Sequence, residues 1–117
     1  MPILKGAKDS IRLKVTATFE QTADDAEVRV PFRAVYKSLK QSEAKATIDA
    51  VQAGELSDDD LMRRFLLDWD LTDAENQPVP FNEREMLEVM EIRPYRKALV
   101  DGFLQSLLGK KGLATKN

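Results

Sequence analysis

From residue 11 the chain alternates, with Ile11, Leu13 and Val15 set between Arg12, Lys14 and Thr16, and Ala17, Thr18 and Phe19 extending the run. Period two with β-branched residues predicts a half-buried strand. Gln21-Thr22-Ala23-Asp24-Asp25 reads as a polar turn. A second run puts Val28, Val30, Phe32, Ala34 and Tyr36 on one face and Arg29, Arg33 and Lys37 on the other. Pro31 cannot donate to a ladder, so this strand lies at an edge or carries a bulge. Together the two runs predict an antiparallel β-hairpin over residues 11–37 with one wet face.

Helical spacing follows Ser38. Ser38 or Ser42 can cap a helix carrying Ala44, Ile48 and Val51 that stops at Gly54. Ser57 then caps a second helix, with Asp58, Asp59 and Asp60 in the first turn where the dipole favours acids. Its apolar positions are Leu61, Met62, Phe65, Leu66 and Trp69. An acidic connection from Asp70 to Gln77 leads into a short extended piece, Pro78-Val79-Pro80-Phe81. Asn82-Glu83-Arg84-Glu85 has the form of a capping box and opens a third helix with Met86, Leu87, Val89 and Met90. Pro94 pushes Arg93 out of the helical region, which ends that helix near Ile92. A last helix runs from about Pro94 to Leu108, with Gly109 beyond it.

The expected fold is therefore α+β, an N-terminal antiparallel β-hairpin followed by a C-terminal bundle of about four helices. The 117 residues make one domain. Residues 1–10 are expected to be a flexible arm, 38–109 the helical region and 110–117 a mobile basic tail. Apolar residues at 43% and charged residues at 32% indicate a chain that folds rather than one that stays disordered. Eighteen Lys and Arg against 20 Asp and Glu leave a formal charge of −2. That balance argues against a nucleic-acid partner, which normally requires a basic excess. No apolar stretch reaches the ~20 residues of a membrane span, and the opening residues lack the apolar region of a signal peptide. The cytoplasm is the expected compartment.

The chain has no Cys and no His. Disulfides, thiolate metal sites and His-based acid–base or nucleophilic catalysis are thereby excluded. What remains does not assemble a catalytic motif. Ser42-Glu43-Ala44-Lys45 matches the Ser-x-x-Lys spacing of acyl-serine enzymes but lacks the partner motifs, so a helix cap with surface charges is preferred. Asp68, Asp70 and Thr72 open like a calcium loop, yet Asp73 stands where Gly is needed and Val79 where Glu is needed. Asp58-Asp59-Asp60 suits a helix start better than a magnesium cluster. The five glycines are scattered and form no phosphate loop. Lys110, Lys111 and Lys116 have no interleaved aromatics and read as a solvated tail. No enzyme activity, cofactor or metal is expected.

The last helix carries more apolar surface than one core requires. At about 100° per residue, Tyr95, Leu99, Phe103 and Leu107 form one stripe, and Val100, Leu104 and Leu108 a second. Either the helix is wedged between two elements of its own domain, or one stripe faces a partner or a second copy. Tyr95, Leu99, Val100, Phe103 and Leu104 are accordingly the candidate partner-binding residues. Trp69 and Phe81 form an adjoining apolar pair, although a Trp at helical spacing from Met62, Phe65 and Leu66 is more often core than hot spot.

From Leu56 to Asn117 the chain resembles the small tail assembly chaperones of long-tailed bacteriophages and prophages. The resemblance is carried by Leu61 to Trp69 (LMRRFLLDW), the turn Asp73-Ala74-Glu75-Asn76, Pro78-Val79-Pro80-Phe81, Asn82 to Leu87, Pro94 to Leu99 and the Lys116-Asn117 terminus. The turn before Pro78 usually has Gly in that family; Asn76 stands there instead and tolerates the same left-handed conformation. The resemblance implies a non-enzymatic protein of the host bacterial cytoplasm. Its partner would be the long helical tape-measure protein, bound before tail-tube subunits polymerise around it. It also implies a longer form made by ribosomal frameshifting, with which the chain could associate, as it could with itself. The alternatives are a structural tail subunit, a tail-tube or terminator-like ring former, and a small DNA-binding regulator, which the charge balance disfavours.

Overall fold

The computed structural model describes residues 8–20 and 26–114, with 109–114 by their backbone alone. Strands β1 (Ser10–Phe19) and β2 (Val28–Lys37) form the antiparallel hairpin, in unbroken register from Ser10 opposite Lys37 to Phe19 opposite Val28. Helices α1 (Gln41–Gln52) and α2 (Asp58–Phe65) follow, then a short strand β3 (Leu66–Trp69), then helices α3 (Glu83–Met90) and α4 (Arg93–Ala114). The sheet order is β1-β2-β3. The architecture is α+β, and the described residues form a three-stranded antiparallel sheet and four helices.

The alternation in the hairpin translates directly into its two faces. Val15, Ala17, Phe32, Ala34 and Tyr36 are buried, while Arg12, Lys14, Arg29, Arg33 and Lys37 are exposed. α4 lies across the inner face, and Gly102 lets it approach β1 closely. A Cβ there would stand 2.5 Å from Val15 Cγ1 and 3.0 Å from Tyr36 Oη. The Tyr36 hydroxyl, buried beneath the helix, donates to the Leu99 carbonyl at 2.7 Å. Phe103 stacks on Phe65 with ring centroids 4.9 Å apart and tilts against Tyr36.

The second helix is shorter than its apolar spacing predicts. Leu66 to Trp69 leaves the helix and pairs antiparallel with Ala34–Tyr36 of β2. The open edge of β2 needs backbone partners, and this segment supplies them. Ala34 pairs with Trp69, Val35 with Asp68 and Tyr36 with Leu66, so the register skips Leu67. A bulge of that kind places Leu66 and Trp69, three positions apart, on the same inner face, while Leu67 turns outward at 45% exposure. Pro31 does not make β2 an edge strand. β2 is the central strand, but β3 pairs only as far as Ala34, so Pro31 lies outside that ladder.

Helix ends also shift. Neither serine caps α1: Lys40 holds the N-cap position, and its backbone N–H donates to Glu43 Oε1 at 3.2 Å. Gly54 follows in the left-handed region, as its stop role requires. Ser57 caps α2, accepting from the Asp60 N–H, and Asn82 caps α3, accepting from the Glu85 N–H. α4 begins at Arg93 and continues through Gly109 to Ala114, past the stop expected near Leu108 and into the segment expected to be a loose tail. Glycine costs about 1 kcal/mol in a helix interior, which does not by itself end a helix. Most of the expected N-terminal arm and residues 115–117 lie outside the described residues. Among the described residues, no helix is long and apolar enough to cross a membrane.

Candidate interaction surface

Of the residues expected to face a partner, most serve the protein's own core. Leu99 and Phe103 are fully buried, and Trp69 and Val100 nearly so. Tyr95, Phe81 and Leu104 are half-buried and pack against that core. Most of the two stripes of α4 is used internally, all but Leu108: the helix is wedged between the sheet on one side and α2 and α3 on the other. Tyr95 reaches Phe19 edge-on at 5.6 Å and Phe32 at 5.8 Å. Trp69 and Phe81 do adjoin, in a T-shaped contact at 5.0 Å, and the Trp69 indole N–H donates to the Val79 carbonyl at 2.9 Å.

The acidic clusters have structural partners. Arg96 of α4 reaches Asp59 at 3.2 Å and Asp58 at 3.5 Å, and its Nε donates to the Met90 carbonyl at 2.7 Å, so one guanidinium ties α2 and α3 to α4. Hydrogen bonds from the backbone and side chain of Ser57 hold the Asp60 carboxyl below its ordinary pKa. Asp68 and Asp70 accept from the Trp69 and Arg33 backbone N–H groups instead of converging on an ion. Asp73 Oδ1 accepts from the N–H groups of Glu75 and Gln77, and Asn76 closes this turn at φ 62°. Ser42 and Lys45 are exposed on α1, with Lys45 paired to Asp49. Among the described residues, no group of acids is placed to hold a metal ion.

The open surface lies elsewhere, beside β1. A groove of about 330 Å³ runs between Ile11, Leu13, Lys14 and Val15 of β1 and Gly102, Gln105 and Ser106 of α4. A second recess of about 200 Å³ continues from Ile11 and Ser106 toward Leu39, Ala44 and Leu107. Ile11 remains 39% exposed at the shared rim, and Leu108 is 47% exposed farther along α4.

β1 is also the sheet's outer strand, and among the described residues no strand lies along one side of its backbone. Which groups point outward follows from the register. The Arg33 N–H donates to Asp70 Oδ1 at 2.6 Å and the Arg33 carbonyl accepts from the Asp70 N–H at 3.0 Å, both away from β1. Arg33 and Lys14 are therefore a non-hydrogen-bonded pair, and Lys14 turns its N–H and C=O to the open edge. Alternation gives the same orientation to Arg12, Thr16 and Thr18. Thr16 faces Pro31, whose missing N–H thus points away from β1 and costs the hairpin nothing.

The pattern of residues along the chain does not reveal this groove. Its one local signal was Gly102, a glycine inside an apolar helix, which marks close backbone approach. Which strand would be outermost was not readable. No family model, curated protein or solved structure matches the chain.

Proposed function

We propose that the protein is a non-enzymatic phage or prophage tail assembly chaperone that binds the tape-measure protein in the host cytoplasm. The reading rests on the resemblance running from Leu56 to Asn117 and on one observation, the apolar groove left open between β1 and α4. A protein that shields apolar segments of a client needs such a groove, shaped by its own core yet not filled by it. The absence of His and Cys supports the non-enzymatic side of the reading. The surface that carries the reading is the groove and its rim at Ile11, in place of the stripe on α4.

Co-expression with tape-measure fragments is expected to give a co-purifying complex. A monodisperse chain that ignores every fragment overturns the reading. The alternative, a ring-forming tail subunit, draws on the same unpaired strand edge and predicts a stable closed oligomer by light scattering.

A further inference from the structure

We infer that the β1 edge receives an extended partner segment as an additional strand, and that this segment alternates carboxylate and apolar side chains. The inference rests on the reading of the groove as the partner site and specifies how that site is filled.

Three features of the edge converge on this occupant. Arg12, Lys14, Thr16 and Thr18 turn their backbone donors and acceptors outward, which offers a ladder to any strand laid alongside. A strand in that position sends alternate side chains to opposite faces. Those opposite Leu13 and Val15 enter the groove, whose far wall is Gly102 and Gln105, and apolar groups fit there. Those opposite Arg12 and Lys14 lie on the outer face beside two exposed cations. Lys14 sits directly across from Arg33, a like-charged pair that a neighbouring carboxylate would relieve. Among the described residues, Arg12, Lys14 and Arg33 form no ion pair through their side chains.

The same charges argue against other occupants. A second copy pairing β1 to β1 would set Arg12 against Lys14 when centred on Leu13 and Lys14 against itself when centred on Lys14, which disfavours those registers of self-association. A nucleic acid would meet cations on the outer face, but β1 and β2 present no aromatic there for bases to stack on.

The test uses the full chain and amide hydrogen exchange followed by NMR. The probe is a short blocked peptide alternating Glu and Ile; the comparisons are a Lys/Ile peptide, a helical peptide of the Glu/Ile composition and oligothymidylate. Saturating Glu/Ile peptide is expected to slow exchange at Lys14 and Thr16 at least about tenfold, the other three leaving those amides unchanged. Arg12→Glu with Lys14→Glu should transfer the preference to the Lys/Ile peptide. Thr16→Pro removes an outward donor without touching the β2 ladder and should abolish pairing in a folded chain. Equal slowing by both strand peptides, no slowing at Lys14 and Thr16, or slowing by the helical peptide or oligothymidylate overturns the inference. Edge pairing with the Glu/Ile peptide by a chain that ignores tape-measure fragments would overturn the client and leave the mode of docking standing.

Discussion

At Gly102 a single hydrogen atom sets how closely α4 lies on the sheet. Alanine would gain about 1 kcal/mol of helix propensity, but its methyl would press on Val15 Cγ1, the branch of a stiff side chain. Overpacking of this kind costs about 1–3 kcal/mol. Gly102→Ala is therefore expected to lower the urea midpoint, and Val15→Ala in the same chain to recover part of the loss. Tyr36 supplies a second test. Burial, with a smaller contribution from the Asp101 charge, pushes its hydroxyl pKa well above the ordinary value. Below about pH 10 the residue is protonated in folded and unfolded chains alike, and its burial carries no pH dependence. Above it the unfolded chain alone releases the proton, so stability falls as pH rises. Tyr36→Phe should flatten that alkaline decline in thermal melts while costing about 1 kcal/mol near neutrality for the lost hydrogen bond to Leu99.

Between elements, Arg96 holds the helices in place. Its guanidinium meets two carboxylates at the start of α2 and the last turn of α3 through the Met90 carbonyl. Arg96→Met should cost about 1–3 kcal/mol in denaturant unfolding, and Arg96→Lys should restore little, because one ammonium lacks the fork that spans these acceptors. The Leu66–Trp69 segment tests the balance between local and tertiary preference. Its apolar spacing suits a helix, yet it pairs with β2. A peptide of residues 57–72 in a helix-promoting solvent should show helix extending past Phe65 by NMR; an extended Leu66–Trp69 there would mean that the strand is local in origin.

For the whole molecule, burial separates residues that maintain the fold from those that remain available. Leu99 is fully buried, so Leu99→Asp should abolish cooperative unfolding by circular dichroism. Leu104 packs half-buried against the core, and Leu104→Asp is expected to loosen the fold before it affects any partner. Ile11→Asp at the groove rim should cost less than about 1 kcal/mol while reducing recovery of tape-measure fragments in pull-downs. Retained binding by folded Ile11→Asp would move the client away from the groove.

The sequence by itself determined the hairpin, its wet and dry faces and the caps at Ser57 and Asn82, because each depends on neighbours close along the chain. It also limited the chemistry, since a chain without His or Cys lacks those side chains however it folds. Only the tertiary structure decided the rest. Leu66 and Trp69 satisfy a helical stripe and a bulged strand equally well, and the open edge of β2 selected the strand. Two apolar stripes on α4 are compatible with a partner or with a wedged helix, and the sheet together with α2 and α3 covered most of both, leaving Leu108 exposed. The free edge of β1 and the groove beside it depend on which strand ends up outermost and how closely α4 approaches at Gly102. Both follow from contacts between residues far apart in the chain, and periodicity carries no record of them.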